Sequence, residues 1–152
     1  MAEETQNKKE ADKNILHLRI VSAEKCLYSD NVQAINVTGA DGELGIRPGH
    51  TALLSTIQAG NASYVDMNGE RKFVHIAGGI LEVQPHSVTI LADTALRGEE
   101  IDESKALEAK REAEEKLAHA SADQDYSQAL SELSRALSQL KAVELSRKIR
   151  SR

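Results

Sequence analysis

Aromatic side chains are scarce: the 152-residue sequence has one Phe, three Tyr and no Trp. Single-strand nucleic-acid binders stack bases on such rings, so that class loses its platform. A basic surplus is also missing, the formal net charge being -5 at pH 7, whereas nucleic-acid binders displace counterions with excess Lys and Arg. Cysteine is reduced to Cys26. No internal disulfide can form, nothing calls for an oxidising compartment, and Cys26 reads as a small half-buried hydrophobe. No apolar run approaches the ~20 residues that a helix needs to cross a bilayer, which argues against direct membrane insertion.

A targeting segment is lacking too. Positions 1–14 carry Glu3, Glu4, Glu10 and Asp12 against Lys8, Lys9 and Lys13. Without an apolar stretch this is no secretory signal, and its acidity and lack of Arg disfavour a transit peptide. It is expected to be a disordered leader.

The most informative absence begins after Gly98. All nine Gly and both Pro lie at or before that residue. Gly and Pro punctuate turns and are poorly tolerated inside helices. The first part is therefore expected to hold many short elements and the second a few long helices, with a β domain over 15–97 and a helical one over 98–152.

Before Gly98 the apolar period is two. Leu16, Leu18 and Ile20 alternate with His17 and Arg19; Ile35 and Val37 alternate with Asn36; Val88, Ile90 and Ala92 with Thr89; Val74 and Ile76 with Phe73 and His75. Turn-forming clusters separate the runs: Ser29-Asp30-Asn31, Ala40-Asp41-Gly42, Pro48-Gly49, Ala59-Gly60-Asn61 and Gln84-Pro85-His86. Asn68-Gly69 is the strongest hairpin signal and predicts a type I′ turn. Short strands with frequent turns indicate an antiparallel β-sandwich or flattened barrel from about Ile15 to Ala95.

After Gly98 the spacing becomes helical. Asp102 is a suitable N-cap for a first helix whose thin apolar stripe is Ala106, Ala109, Ala113, Leu117 and Ala120. Asp123 and Asp125 flank a turn and can cap a second helix. Its stripe is Leu130, Leu133, Leu137 and Leu140, flanked by Ala129, Ala136 and Val143. An Ala face against a Leu face suits an antiparallel two-helix hairpin. The fold class is thus β + α, a sandwich followed by a hairpin. With so few large apolar groups on its first helix, the hairpin is expected to dock weakly and to adopt more than one arrangement.

From Arg135 to the end there are six basic residues against one acid, Glu144. Such a terminus suits the helix macrodipole, and it equally suits contact with an acidic partner. The five His are scattered, with no HExxH and no second Cys for a zinc site. His75 reads as a packed or surface residue. Gly39, Gly42 and Gly45 lack the Gly-Lys-Ser/Thr of a phosphate loop and read as a structural loop. No nucleophile elbow is present. Neither a cofactor site nor a metal site emerges, and the chain reads as a non-catalytic interaction protein.

Several segments resemble F-type ATP synthase epsilon subunits of bacteria: Gly42–His50 (GELGIRPGH), Ala77–Pro85 (AGGILEVQP), Val88–Ala95 (VTILADTA) and Asp102–Glu115 (DESKALEAKREAEE). Four such motifs in order make the resemblance strong. It implies a subunit of the central stalk that couples gamma to the c-ring during proton-driven ATP synthesis. It also implies restraint of ATP hydrolysis by an extendable hairpin, and a peripheral place on the cytoplasmic face of the inner membrane. By the same resemblance, Glu43 and Leu44 would meet the c-ring, with Leu53 and Leu54 adding apolar area nearby. Ser22, His50 and Ser55 would lie towards gamma. Arg135, Lys141, Arg147 and Lys148 would reach the alpha and beta subunits. Some members hold ATP through an (Ile/Leu)-Asp-x-x-Arg-Ala motif, which here reads Ile101-Asp102-Glu103-Ser104-Lys105-Ala106. Lys105 loses the planar fork of Arg; Arg135 matches a further basic position, whereas Gln128 and Gln139 do not. Weak ATP binding at most, through Asp102, Lys105 and Arg135, is the expectation. Two other readings stand beside this one: a stand-alone ATP sensor using those three residues, and a coiled-coil adaptor acting through the Leu stripe.

Overall fold

The period-two runs become strands and the glycine-free tail becomes helices. The computed structural model describes residues 14–151; the expected leader at 1–14 lies outside them but for Asn14. Nine strands are found among the described residues: β1 (Leu16–Ser22), β2 (Cys26–Gly39), β3 (Gly42–Ile46), β4 (Leu53–Ile57), β5 (Gly60–Asp66), β6 (Arg71–Ile76), β7 (Gly79–Gln84), β8 (Ser87–Ala92) and β9 (Ala95–Arg97). A 3-10 turn (Gly98–Glu100) leads into α1 (Glu103–Ala118) and α2 (Asp123–Arg150).

The strands form one hydrogen-bonded ribbon ordered β1-β8-β7-β4-β2-β5-β6-β9, with β3 on β2 and a further β1–β2 pairing. All pairs are antiparallel except β1 with β8. Long β2 ties the layers together, its first half pairing β1 and its second half β3 and β5. The inward side chains make one core, in which Leu16, Leu18, Ile20, Val32, Leu81 and Ile90 are fully buried. This is the two-layer solution that alternating strands require.

Four local expectations are corrected. Ser29-Asp30-Asn31 is not a turn but the middle of β2's ladder, opposite Arg19, Leu18 and His17; pairing with β1 outweighs the local preference of Asp and Asn. Asn68-Gly69 does not make a type I′ turn, because only Gly69 has positive φ, at 83°. Instead the Asp66 carboxylate accepts from the Asn68 and Glu70 amides, each at 2.9 Å, and organises a longer loop. Cys26 is exposed rather than half-buried. In β6, Val74, His75 and Ile76 are all buried, as are Ala62, Ser63 and Tyr64 in β5. Alternation fails there because α2 lies across the outer face of these two strands and seals it.

Leu81→Ala, which empties a fully buried site, is expected to cost about 2–5 kcal/mol. Leu91→Ala, ten residues on and half exposed, should cost well under 1 kcal/mol. Urea denaturation of the two variants measures the contrast; equal losses would contradict the core described.

Candidate interaction surfaces

Asp102 is the N-cap of α1, its carboxylate accepting from the amides of Ser104 at 3.0 Å and Lys105 at 3.3 Å. The expected caps of the second helix are not realised: the N-cap is Ala122 with no side-chain bond, and Asp123 and Asp125 sit in the first turn. There their charge still favours the positive end of the helix dipole.

The helices are antiparallel, pinned by Lys116 to Glu132 at 2.8 Å and by Arg147 to Glu103. That register sets Ala113 across from Ala136 and Ala106 across from Val143. The seam is alanine on both helices: Ala106, Ala113, Ala129 and Ala136 are buried, and Ala109 is not. Expectation placed the Leu stripe in the seam, but Leu130 and Leu137 are 49% and 45% exposed. Small residues let the two backbones approach more closely than Leu would, so Leu130 and Leu137 are turned out while Leu133 and Leu140 stay half-buried.

The face of α2 towards the sandwich is also built from small and polar groups. Ser138 Oγ lies 3.2 Å from His75 Nδ1 and donates to Asn61 Oδ1 at 3.4 Å, while Asn61 Nδ2 donates to the Ser138 carbonyl at 3.0 Å. His75 is 0% exposed and its Nε2 has no partner among the described residues. Burial, and secondarily the Arg135 charge, push this imidazole down to about 4. At the end of the sandwich, Gly98 fits under α2: a Cβ there would overlap Ser146 Oγ and sit 3.1 Å from the Ala142 carbonyl oxygen. Arg150 and Glu99 pair at 3.6 Å nearby.

On the opposite layer the strands β1, β8, β7 and β4 present a mixed face to solvent, in which large apolar side chains stand beside Arg19 and Glu82. Ile80 faces Leu91 across the β7–β8 pair and Thr56 across the β7–β4 pair. Leu54, Leu91 and Ile80 are 73%, 51% and 45% exposed. Ile80 and Leu91 escaped the sequence reading, although both stand out of phase with the buried Leu81 and Ile90. Apolar residues in both phases of a strand were the available signal.

The residues singled out by resemblance fall at several places. Glu43 is exposed on β3 opposite Thr38, and Leu44, half-buried, packs against the core. Leu53 also packs there. Ser22 ends β1 beside Ala92, and its Oγ donates to the Lys25 carbonyl at 3.3 Å. His50 lies in the β3–β4 loop, which Gly49 N–H fastens to the Pro85 carbonyl at the far end of β7. Ser55 is on β4 opposite Leu81. Ser22, His50 and Ser55 are thus spread along one four-stranded layer and form no cluster. Asp102, Lys105 and Arg135, by contrast, line one cleft of about 600 Å3 between the helices and Leu96. Glu100, Glu112, Glu132 and Lys116 line it as well; Lys116 is taken up by Glu132, and with Asp102 the acids outnumber the bases, so its field is poorly suited to a polyphosphate. Arg147 and Lys148 are occupied by Glu103 and Glu144. No group of three or more His, Cys, Asp or Glu among the described residues is placed to hold a metal. No helix among them is long and apolar enough to cross a membrane.

Comparison with known proteins places both halves. The family described as ATP synthase, Delta/Epsilon chain, beta-sandwich domain matches residues 15–98. Its companion, ATP synthase, Delta/Epsilon chain, long alpha-helix domain, matches residues 99–144. The chain belongs to the ATP synthase delta/epsilon family. A chain of the Euglena gracilis mitochondrial ATP synthase, solved as OSCP/F1/c-ring in rotational state 1, shares the fold with a TM-score of 0.72. It is 23% identical, over 88% of this chain and 81% of that one. A chain of the Tetrahymena thermophila mitochondrial ATP synthase central stalk and c-ring aligns with a TM-score of 0.54. It is 15% identical, over 84% of this chain and 95% of that one. The sandwich-plus-hairpin reading of the sequence is therefore the delta/epsilon fold.

Gly98→Val is expected to raise the fraction of molecules with α2 off the sandwich by about 5- to 150-fold, the range that 1–3 kcal/mol of overpacking gives. Limited trypsin digestion within α2 reads this as faster cleavage at Arg135 and Lys141. An unchanged rate would mean that Gly98 does not govern the contact.

Proposed function

We propose that this chain is the epsilon subunit of a bacterial F-type ATP synthase, a non-catalytic part of the central stalk. On this reading it couples gamma to the c-ring during proton-driven ATP synthesis and restrains ATP hydrolysis when its hairpin extends. It works as a peripheral protein at the cytoplasmic face of the inner membrane. Family membership over both halves supports the identity. The observation that carries the division of labour is the contrast between the two outer faces of the sandwich: one is covered by the chain's own α2 through small polar contacts, the other is bare and carries the exposed apolar side chains Leu54, Ile80 and Leu91.

Residues 15–97 form the constant part. The exposed pair Ile80 and Leu91, with Leu54 diagonal to Ile80 across the β4–β7 pair, rather than Ser22, His50 and Ser55 alone, supplies the area for gamma; exposed apolar surface of this kind marks an interface. Glu43, at an exposed hairpin strand beside anchored Leu44, meets the polar loops of the ring. Residues 98–152 form the conditional part. Extension exchanges the Glu103 partner of Arg147 for acids of the alpha and beta subunits and brings Arg135, Lys141 and Lys148 with it. These exposed pairs are each worth under ~1 kcal/mol, so the exchange costs little. ATP binds weakly at most in the Asp102–Lys105–Arg135 cleft, because Asp102 is spent on capping and Glu100 and Glu112 oppose phosphate, while Lys116 is taken up by Glu132.

Cutting the chain after Gly98 is expected to leave assembly and coupling intact while hydrolysis loses its inhibition; loss of assembly, or inhibition that persists, overturns the division. Ile80→Glu with Leu91→Glu should weaken gamma binding at least ~100-fold, since two carboxylates would be stranded in a dry contact. Co-purification with gamma tests this, with an unchanged urea midpoint as the check on folding. Lys141→Glu with Arg147→Glu should mimic truncation in part, more so at low salt.

A further inference from the structure

A buried imidazole under a detachable helix is an unusual use of a titratable group. The Asn61–Ser138–His75 network fixes its state. Ser138 Oγ donates to Asn61 Oδ1, so its lone pair is turned to His75 and the imidazole proton sits on Nδ1. Nε2 is then a bare acceptor in a sealed space. A second proton would create a charge and an N–H with no acceptor there, a cost of burial that only a paired charge offsets. Among the described residues no such partner is at hand. From α2 the charged group facing the ring is Arg135, which opposes protonation. β5 contributes Asn61 and β9 contributes Leu96, the register partner of His75; neither titrates. Along β6 itself the neighbour on the same face is Phe73. Once α2 leaves, the ring stands on an open sheet face in water.

We propose that His75 is an acid-sensitive latch, whose protonation releases α2 from the sandwich. The docked arrangement tolerates only the neutral ring, whereas the released one accepts either form. The inference rests on the reading that the hairpin leaves the sandwich, and it adds what shifts that balance: acidification favours the extended, inhibitory arrangement.

The sign follows from the two proton affinities. Released, the ring titrates near its ordinary value of 6.5; docked, it is held down to about 4. Above pH 6.5 both arrangements are neutral and docking does not depend on this group. Between 6.5 and about 4 only the released form takes up the proton, so the docked-to-released ratio falls by roughly tenfold per pH unit. Below about 4 both are protonated and the ratio levels.

The full chain tests this with one dye on Cys26 and another on Ser134→Cys of α2, both exposed positions. Energy transfer is expected to be constant from pH 8 to 6.5 and to drop steeply from pH 6 to 4.5, while circular dichroism of the strands holds. His75→Phe should stay docked and lose the drop, and His75→Gln, which keeps a hydrogen bond to Ser138 without a titrating group, should behave alike. If either variant retains the drop, or the strands melt with it, the latch is wrong. An NMR titration placing the His75 ring of the docked protein near 6.5 would also overturn it. Gly98→Val separates the two ideas: release in that variant without pH dependence in the parent sinks the latch alone. Release in neither, at any pH, sinks the detachable hairpin as well.

Discussion

The contact of α2 with the outer face of β5 and β6 is what the rest of the molecule depends on. Its composition is unusual for a helix on a sheet. Ala142, Ser138, Ser146 and Gly98 supply the close approach, and the largest group sealed beneath is an imidazole rather than an aliphatic side chain. Burying Ala releases far less free energy than burying Leu. Hydrogen bonds such as Asn61 to Ser138 contribute about 1 kcal/mol net, and the flanking pair Arg150–Glu99 is exposed and worth less. The helix is held by fit, not by area. An interface of that kind is intolerant of added volume and cheap to leave, which is the combination a conditional contact needs.

The same economy appears in the hairpin. An Ala seam draws α1 and α2 close and leaves Leu130 and Leu137 half exposed. A Leu seam would bury more and make the hairpin a rigid unit. Here, instead, apolar area stays on the surface of α2, available to whatever the helix would meet on the proposed extension. The charges follow suit: Arg147 and Lys148 are satisfied locally by Glu103 and Glu144, so the docked state hides much of the basic end without burying it.

Much of this was legible in the residues alone. The loss of Gly and Pro after Gly98 marked the change from strands to helices. The alternation of Leu16, Leu18 and Ile20, and of Val88, Ile90 and Ala92, fixed which side chains face the core. What failed did so where a distant element decided the outcome. His75 sits in a polar phase of its strand, and no local pattern says that a helix more than sixty positions later will cover it. Ser29-Asp30-Asn31 has turn chemistry, yet the β1 ladder holds it extended. The Leu stripe of α2 looked like a seam because larger side chains bury more area; the geometry preferred close backbones to large side chains. Resemblance pointed to Asp102, Lys105 and Arg135, and these do converge on one cleft. The carboxylates of Glu100, Glu112 and Glu132 that share it lay outside the motif.

Arg135 shows how the conditional features are joined. It lines the cleft beside Asp102 and Lys105, and its charge also reaches the His75 ring beneath α2. Two consequences follow from one side chain. Its charge opposes protonation of the ring for as long as the helix is docked, so docking and ring neutrality reinforce each other. On the proposed release of the helix, the cleft would lose its guanidinium and the ring its repeller in the same motion. The sandwich, whose core includes none of these groups, is indifferent to the change. On the proposed function, a sandwich whose apolar patch stays exposed would keep one partner while the other face is opened, and the physics of the two faces never has to be traded one against the other.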